Sequence, residues 1–201
     1  RGFEDAVAAG ADEVAIFGSA SEGFSKANIN ATIAESLDRF RPVAAAALDR
    51  GVPVRGYVSC VVECPYDGQV APAAVARVVA ALRDMGCYEV SLGDTIGRAT
   101  PDGIVDMLTA VLGEMPADRL AGHYHDTGGL ACDNVEASLG LGLRVFDAAV
   151  GGLGGCPYAP GAAGNVATEA VAVRVAELGY DHGLDMDVVA QAAEMARRMR
   201  G

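Results

Sequence analysis

Pro72 to Leu112 reads PAAVARVVAALRDMGCYEVSLGDTIGRATPDGIVDMLTAVL, and its layout decides the fold. Val75, Val78, Val79 and Leu82 recur at helical spacing, and Gly86 follows where a left-handed helix cap is expected. Tyr88 to Gly93 is then a short β-prone run that opens into the polar loop Asp94 to Gly97, before a second helical pattern over 102–114. Helix, glycine, buried strand, polar loop and helix form the period of right-handed βαβ crossovers, which build a parallel sheet.

The same cycle extends in both directions. Helical patterns run near 2–9, 31–50, 72–85, 102–114, 130–141, 166–178 and 185–199, and Pro42 is expected to kink the second of them. Strands are expected at Glu13 to Phe17, Val52 to Ser59, Tyr88 to Gly93, Leu120 to His125 and Arg144 to Val150. Gly10, Gly51, Gly86, Gly142 and Gly179 each stand just past a helix. No linker or low-complexity tract divides residues 1–201, so the α/β chain reads as a single catalytic domain. About five strands suit an open doubly wound sheet or part of a (β/α)8 barrel; in the second case about three βα units are expected before Arg1, because the chain opens in a helical pattern.

Composition narrows the function. A formal net charge of −12 disfavours nucleic acid and anionic membrane as partners, and no apolar run reaches the ~18 residues of a membrane span. Five cysteines without a paired framework fit reduced thiols, and no secretory pattern opens the sequence, so the expected compartment is the cytoplasm.

Three strand ends carry candidate chemistry. In Gly122-His123-Tyr124-His125, alternation points both imidazoles to one side and Tyr124 to the other, which makes half a metal site; histidines bonded to backbone are the plainer alternative. The loop Gly151 to Asn165 holds six glycines in fifteen residues around Cys156, a thiol that could be carried to a substrate or simply buried. Asn165 either caps the next helix or offers a neutral oxygen to a hard cation, Mg²⁺ or Mn²⁺. Asp94, in Ser91-Leu92-Gly93-Asp94, is either a turn residue or a second-layer partner of a ligand. Arg55 is a charge within an apolar strand, which requires an anionic substrate group or an internal carboxylate. Lys26 and Asn28 read as residues of a polar loop open to substrate or solvent. Cys60 and Cys64 read as structural and His182 as surface.

Together these segments resemble the hydroxymethylglutaryl-CoA lyase family across essentially the whole chain. The most specific stretch is GGLGGCPYAPGAAGNVATE, Gly151 to Glu169, joined by FSKANIN (Phe24 to Asn30), RGYVSC (Arg55 to Cys60), CPYDG (Cys64 to Gly68), SLGDTIG (Ser91 to Gly97) and GHYHDT (Gly122 to Thr127). The resemblance implies a metal-dependent TIM barrel, here incomplete, that cleaves 3-hydroxy-3-methylglutaryl-CoA to acetyl-CoA and acetoacetate. It implies His123, His125 and Asn165 as metal ligands, Cys156 as the catalytic cysteine, and Asp94, Ser91 and Arg55 in or near the active site, where Asp94 is expected to be catalytic and Ser91 and Arg55 to bind substrate. Lys26 and Asn28 are expected to meet the acyl-CoA, and a homodimer is one arrangement open to the chain.

One family feature has no match: the first-strand motif that supplies a further metal-binding aspartate and the arginine beside it. Two other readings therefore stay open. One is an acyl-CoA condensing enzyme of the isopropylmalate or homocitrate synthase kind, and the other is a non-catalytic remnant that binds CoA.

Overall fold

The structure, a computed structural model, describes residues 2–155 and 164–199. Its strands are β1 (Val14–Ser19), β2 (Val54–Ser59), the two-residue β3 (Glu63–Cys64) and β4 (Gly68–Gln69), β5 (Glu89–Asp94), β6 (Leu120–Tyr124) and β7 (Val145–Asp147). The helices are α1 (Gly2–Ala8), α2 (Glu22–Ile29), α3 (Ile33–Asp49), α4 (Pro72–Asp84), α5 (Pro101–Val111), α6 (Ala131–Gly140), α7 (Thr168–Glu177) and α8 (Met186–Met199).

One five-stranded sheet runs β1-β2-β5-β6-β7, and every neighbouring pair is parallel. Each strand lies beside its predecessor, so the winding never reverses. A doubly wound sheet has such a reversal and a barrel does not, which decides between the two architectures left open by periodicity. The five glycines expected past helices, Gly10, Gly51, Gly86, Gly142 and Gly179, all have left-handed φ.

Alternation along each strand sorts the side chains into two faces. Val54, Val58, Val90, Leu92 and Leu120 pack against Leu82 of α4, Ile104 and Leu108 of α5 and Val135 of α6 to form the core. The opposite face carries Arg55, Tyr57, Ser91, His123 and Asp147, a polar set on what would be a barrel's inner surface.

Several elements differ from the sequence expectation. Lys26 and Asn28 lie in α2, a helix, rather than in a loop. Its start is held by Ser21, whose Oγ accepts from Phe24 N at 3.1 Å, and Asn30 closes it in a left-handed cap at φ 49. With only eight residues and a weak apolar stripe, α2 offers little periodicity to detect. Helix α3 starts at Ile33, later than expected, behind a Thr32/Glu35 capping box, and Pro42 lies within its span. Strand β7 stops at Asp147, short of Val150, and His125 stands just beyond β6.

Candidate active site

His123 and His125 leave β6 on the same side, their ring centroids 5.7 Å apart and tilted by 42°. Tyr124 points the other way, fully buried, with its hydroxyl bonded to Ser138 Oγ at 2.8 Å. Residues 164–166 return antiparallel along this strand end: Val166 N donates to Tyr124 O at 3.0 Å and Asp126 N to Gly164 O at 2.9 Å. That short ladder sets Asn165 opposite His125. Asn165 Nδ2 donates to Leu153 O at 3.0 Å, which leaves the amide oxygen as its acceptor end. Gly154 makes this approach feasible, since a Cβ there would fall 2.5 Å from Asn165 Nδ2 and its φ is +98.

Beneath the histidines lies a charge network that sequence reasoning missed in part. Arg55 Nε donates to Glu89 Oε1 at 2.7 Å, and its Nη1 reaches Asp147 Oδ1 at 2.9 Å and the Tyr57 hydroxyl. Of the two partners allowed for this strand-borne cation, internal carboxylates are the ones present. Burial opposes the Arg55 charge, but Glu89 and Asp147 outweigh it and its pKa lies above the ordinary guanidinium value. Asp147 is likewise burdened by burial, yet hydrogen bonds from His123 and Ser91 and the Arg55 charge hold its carboxyl below the usual range. Ser91 Oγ donates to Asp147 Oδ2 at 2.7 Å, so Ser91 belongs to this network. Nothing in VFDAAV marks Asp147 except its place at a strand end.

The histidines border a cleft of about 310 Å³ that is also lined by Phe17, Asn28, Tyr57, Thr95 and Gly155. Asn28 is thus brought to the site from α2. Lys26 is not among the lining residues and stands exposed, 4.0 Å from Glu35. Asp94 turns into its own loop, where its carboxylate accepts from Arg98 N at 3.2 Å and Ala99 N at 2.9 Å. In the choice left open between turn residue and second-layer partner, its side chain is the turn residue. Burial pushes the Asp94 carboxyl pKa up, against those amide bonds. Its backbone oxygen accepts from His125 N at 3.4 Å and so joins the two loops. Cys156 lies outside the described residues; Gly155, immediately before it, lines the cleft.

Among the described residues, no three His, Cys, Asp or Glu side chains gather as a complete metal site. The donors that do gather nevertheless suit a hard cation. Burial and the adjacent His123 press the His125 pKa down to about 4, so its ring is neutral at physiological pH, and its Nδ1 is buried without a hydrogen-bond partner among the described residues. An orphaned polar atom of that kind costs about 1–3 kcal/mol, which a bound ion would offset. His123 directs Nδ1 at Asp147 Oδ2, 3.2 Å away, leaving Nε2 to a ligand.

Residues 1–196 match the HMGL-like family. The chain belongs to that family. It is 53% identical over 191 residues to the hydroxymethylglutaryl-CoA lyase of Pseudomonas mevalonii, covering 95% of this chain and 64% of that protein. With the mitochondrial hydroxymethylglutaryl-CoA lyase of Arabidopsis thaliana it shares 55% identity over all 201 residues, 43% of that protein. The HMGL-like chain therefore spans about half to two thirds of these relatives. The HMG-CoA lyase structure from Brucella melitensis superposes with a TM-score of 0.97 at 62% identity, covering 99% of this chain and 70% of that one. The carboxyl transferase domain of Rhizobium etli pyruvate carboxylase, at 15% identity and TM-score 0.69, shares the fold alone. No described helix is long and apolar enough to cross a membrane.

Proposed function

We propose that this chain carries the metal-binding portion of a hydroxymethylglutaryl-CoA lyase, which splits 3-hydroxy-3-methylglutaryl-CoA into acetyl-CoA and acetoacetate. The observation that carries the reading is that His123 and His125 face one cleft beside Gly155, with the backbone of Asn165 paired to that of His125. These three neutral donors would hold Mg²⁺ or Mn²⁺. Such an ion supplies Lewis acidity where the tertiary hydroxyl loses its proton and an enolate develops.

The chain's own residues do the rest. The Phe17–Tyr57 stack, 4.6 Å between centroids, lines one side of the cleft. As the bond between the thioester-bearing carbon and the carbinol carbon breaks, the thioester enolate needs a proton at carbon, and Cys156 Sγ is the donor. Asn28 meets the acyl-CoA at the cleft, and Lys26 meets it from the exposed side of α2. Asp94 contributes by fixing the loop against which His125 sits. A cytoplasmic setting fits the thiols Cys60, Cys64, Cys87 and Cys132, none of which forms a disulfide among the described residues.

In the intact protein, Cys156→Ala and Cys156→Ser should each remove most release of acetoacetate while leaving the unfolding midpoint in place. Full turnover in either variant ends this assignment. Consumption of acetyl-CoA with a 2-oxo acid, in place of acetoacetate release, would instead identify a condensing enzyme.

A further inference from the structure

We propose that Asp147 is the positioning residue of this site, fixing His123 in its Nδ1–H form so that Nε2 is presented to the cleft as a lone pair. The register sets Asp147 of β7 directly beside His123 of β6. Its Oδ2 lies 2.7 Å from Ser91 Oγ and 3.2 Å from both His123 Nδ1 and Arg55 Nη1, while Oδ1 lies 2.9 Å from that same Nη1. Side chains from β2, β5 and β6 thus meet on a single carboxylate supplied by β7.

The chemistry follows from what each group can donate. An ionised carboxylate only accepts, so the His123 nitrogen that faces it must carry the proton, and a neutral ring then has its free pair on the other nitrogen. Arg55 and Ser91 have only donors to offer Asp147 in this arrangement, and together they hold the carboxylate in place and keep it an acceptor. Arg55 has its Nε on Glu89 and its Nη1 on Asp147 and Tyr57. Through Nη1, Arg55 therefore acts on the site by way of Asp147.

The tautomer claim stands on this geometry alone; its consequence for metal affinity rests on the lyase reading given above. The test is nitrogen-detected NMR of His123 in the metal-free intact protein, paired with Mn²⁺ binding followed by EPR. Wild type should give an Nδ1–H signature. Asp147→Ala should shift the population toward the Nε2–H form and weaken Mn²⁺ binding about 10–100-fold. Asp147→Asn, which keeps the shape and one acceptor oxygen, should fall between and guards against a variant that fails to fold. A merely structural Asp147 would lower the unfolding midpoint and leave the tautomer signature and the Mn²⁺ affinity of the folded protein unchanged, and that result overturns the proposal. If wild type binds no Mn²⁺, the metal reading fails, and the tautomer shift in Asp147→Ala still decides the role of Asp147.

Discussion

Arg55 sits near the start of β2 with its side chain 9% exposed, between carboxylates at 11% and 22%. A pair buried this far returns little net stability when intact, but removing the guanidinium leaves Glu89 and Asp147 without their shared counter-charge. Arg55→Met should therefore lower the unfolding free energy by about 3–5 kcal/mol, measured by denaturant titration. Arg55→Met/Glu89→Leu should recover part of that loss, because one stranded carboxylate goes with the guanidinium; a double variant no more stable than the single would show that Glu89 needs no cation. In the sequence, Arg55 announces itself as a charge among apolar neighbours. Its partner Asp147 does not, because which carboxylate lies across two further strands is a matter of register, and register is set by packing.

Elements are held by contacts of the same long-range kind. Gly56 of β2 faces α4 so closely that an added Cβ would come 3.1 Å from Leu82 Cδ1 and 3.3 Å from both Cys87 Sγ and Val90 Cγ2. Gly56→Ala should cost about 1–3 kcal/mol by overpacking, and Gly56→Ala/Leu82→Val should return some of it. An unchanged midpoint in Gly56→Ala would mean that α4 is free to move away from the sheet. Asp67, at the tip of the β3–β4 hairpin, caps α2 from outside by accepting from Ser21 Oγ and Gly23 N, both at 2.7 Å. Those bonds hold its carboxyl below the ordinary value of 3.8. Because the folded pKa is the lower one, the stabilisation is present above the unfolded pKa and is lost as pH falls through the folded value. Wild type and Asp67→Ala should thus differ by about 1 kcal/mol at neutral pH and converge once the pH has fallen through the lowered carboxyl value. A gap that persists in acid would assign the effect to packing. Strong periodicity makes the long helices legible in the sequence, whereas α2 and the hairpin depend on Ser21, Asp67 and Cys64 meeting across some forty residues, which no local pattern encodes.

At the scale of the whole molecule, the alternation of helices and strands announces a parallel sheet, but only the unreversed order β1-β2-β5-β6-β7 makes it the wall of a barrel. That order also brings the ends of β5 and β6 and the 164–166 segment to one place, so a single ion would tie together parts of the chain far apart in sequence. Anything that binds the folded state and ignores the unfolded chain stabilises it in proportion to the logarithm of its concentration. In the intact protein, Mn²⁺ at one hundred times its dissociation constant should add about 2.7 kcal/mol. For a domain of barrel size, that corresponds to a rise of about 4–5 °C in the midpoint. EDTA should reverse the shift, His123→Ala and Asn165→Ala should each diminish it, and Lys26→Ala, remote from the donor set, should leave it intact. A midpoint indifferent to Mn²⁺ and Mg²⁺ across that range would mean that the two imidazoles face this cleft for some purpose other than holding a cation.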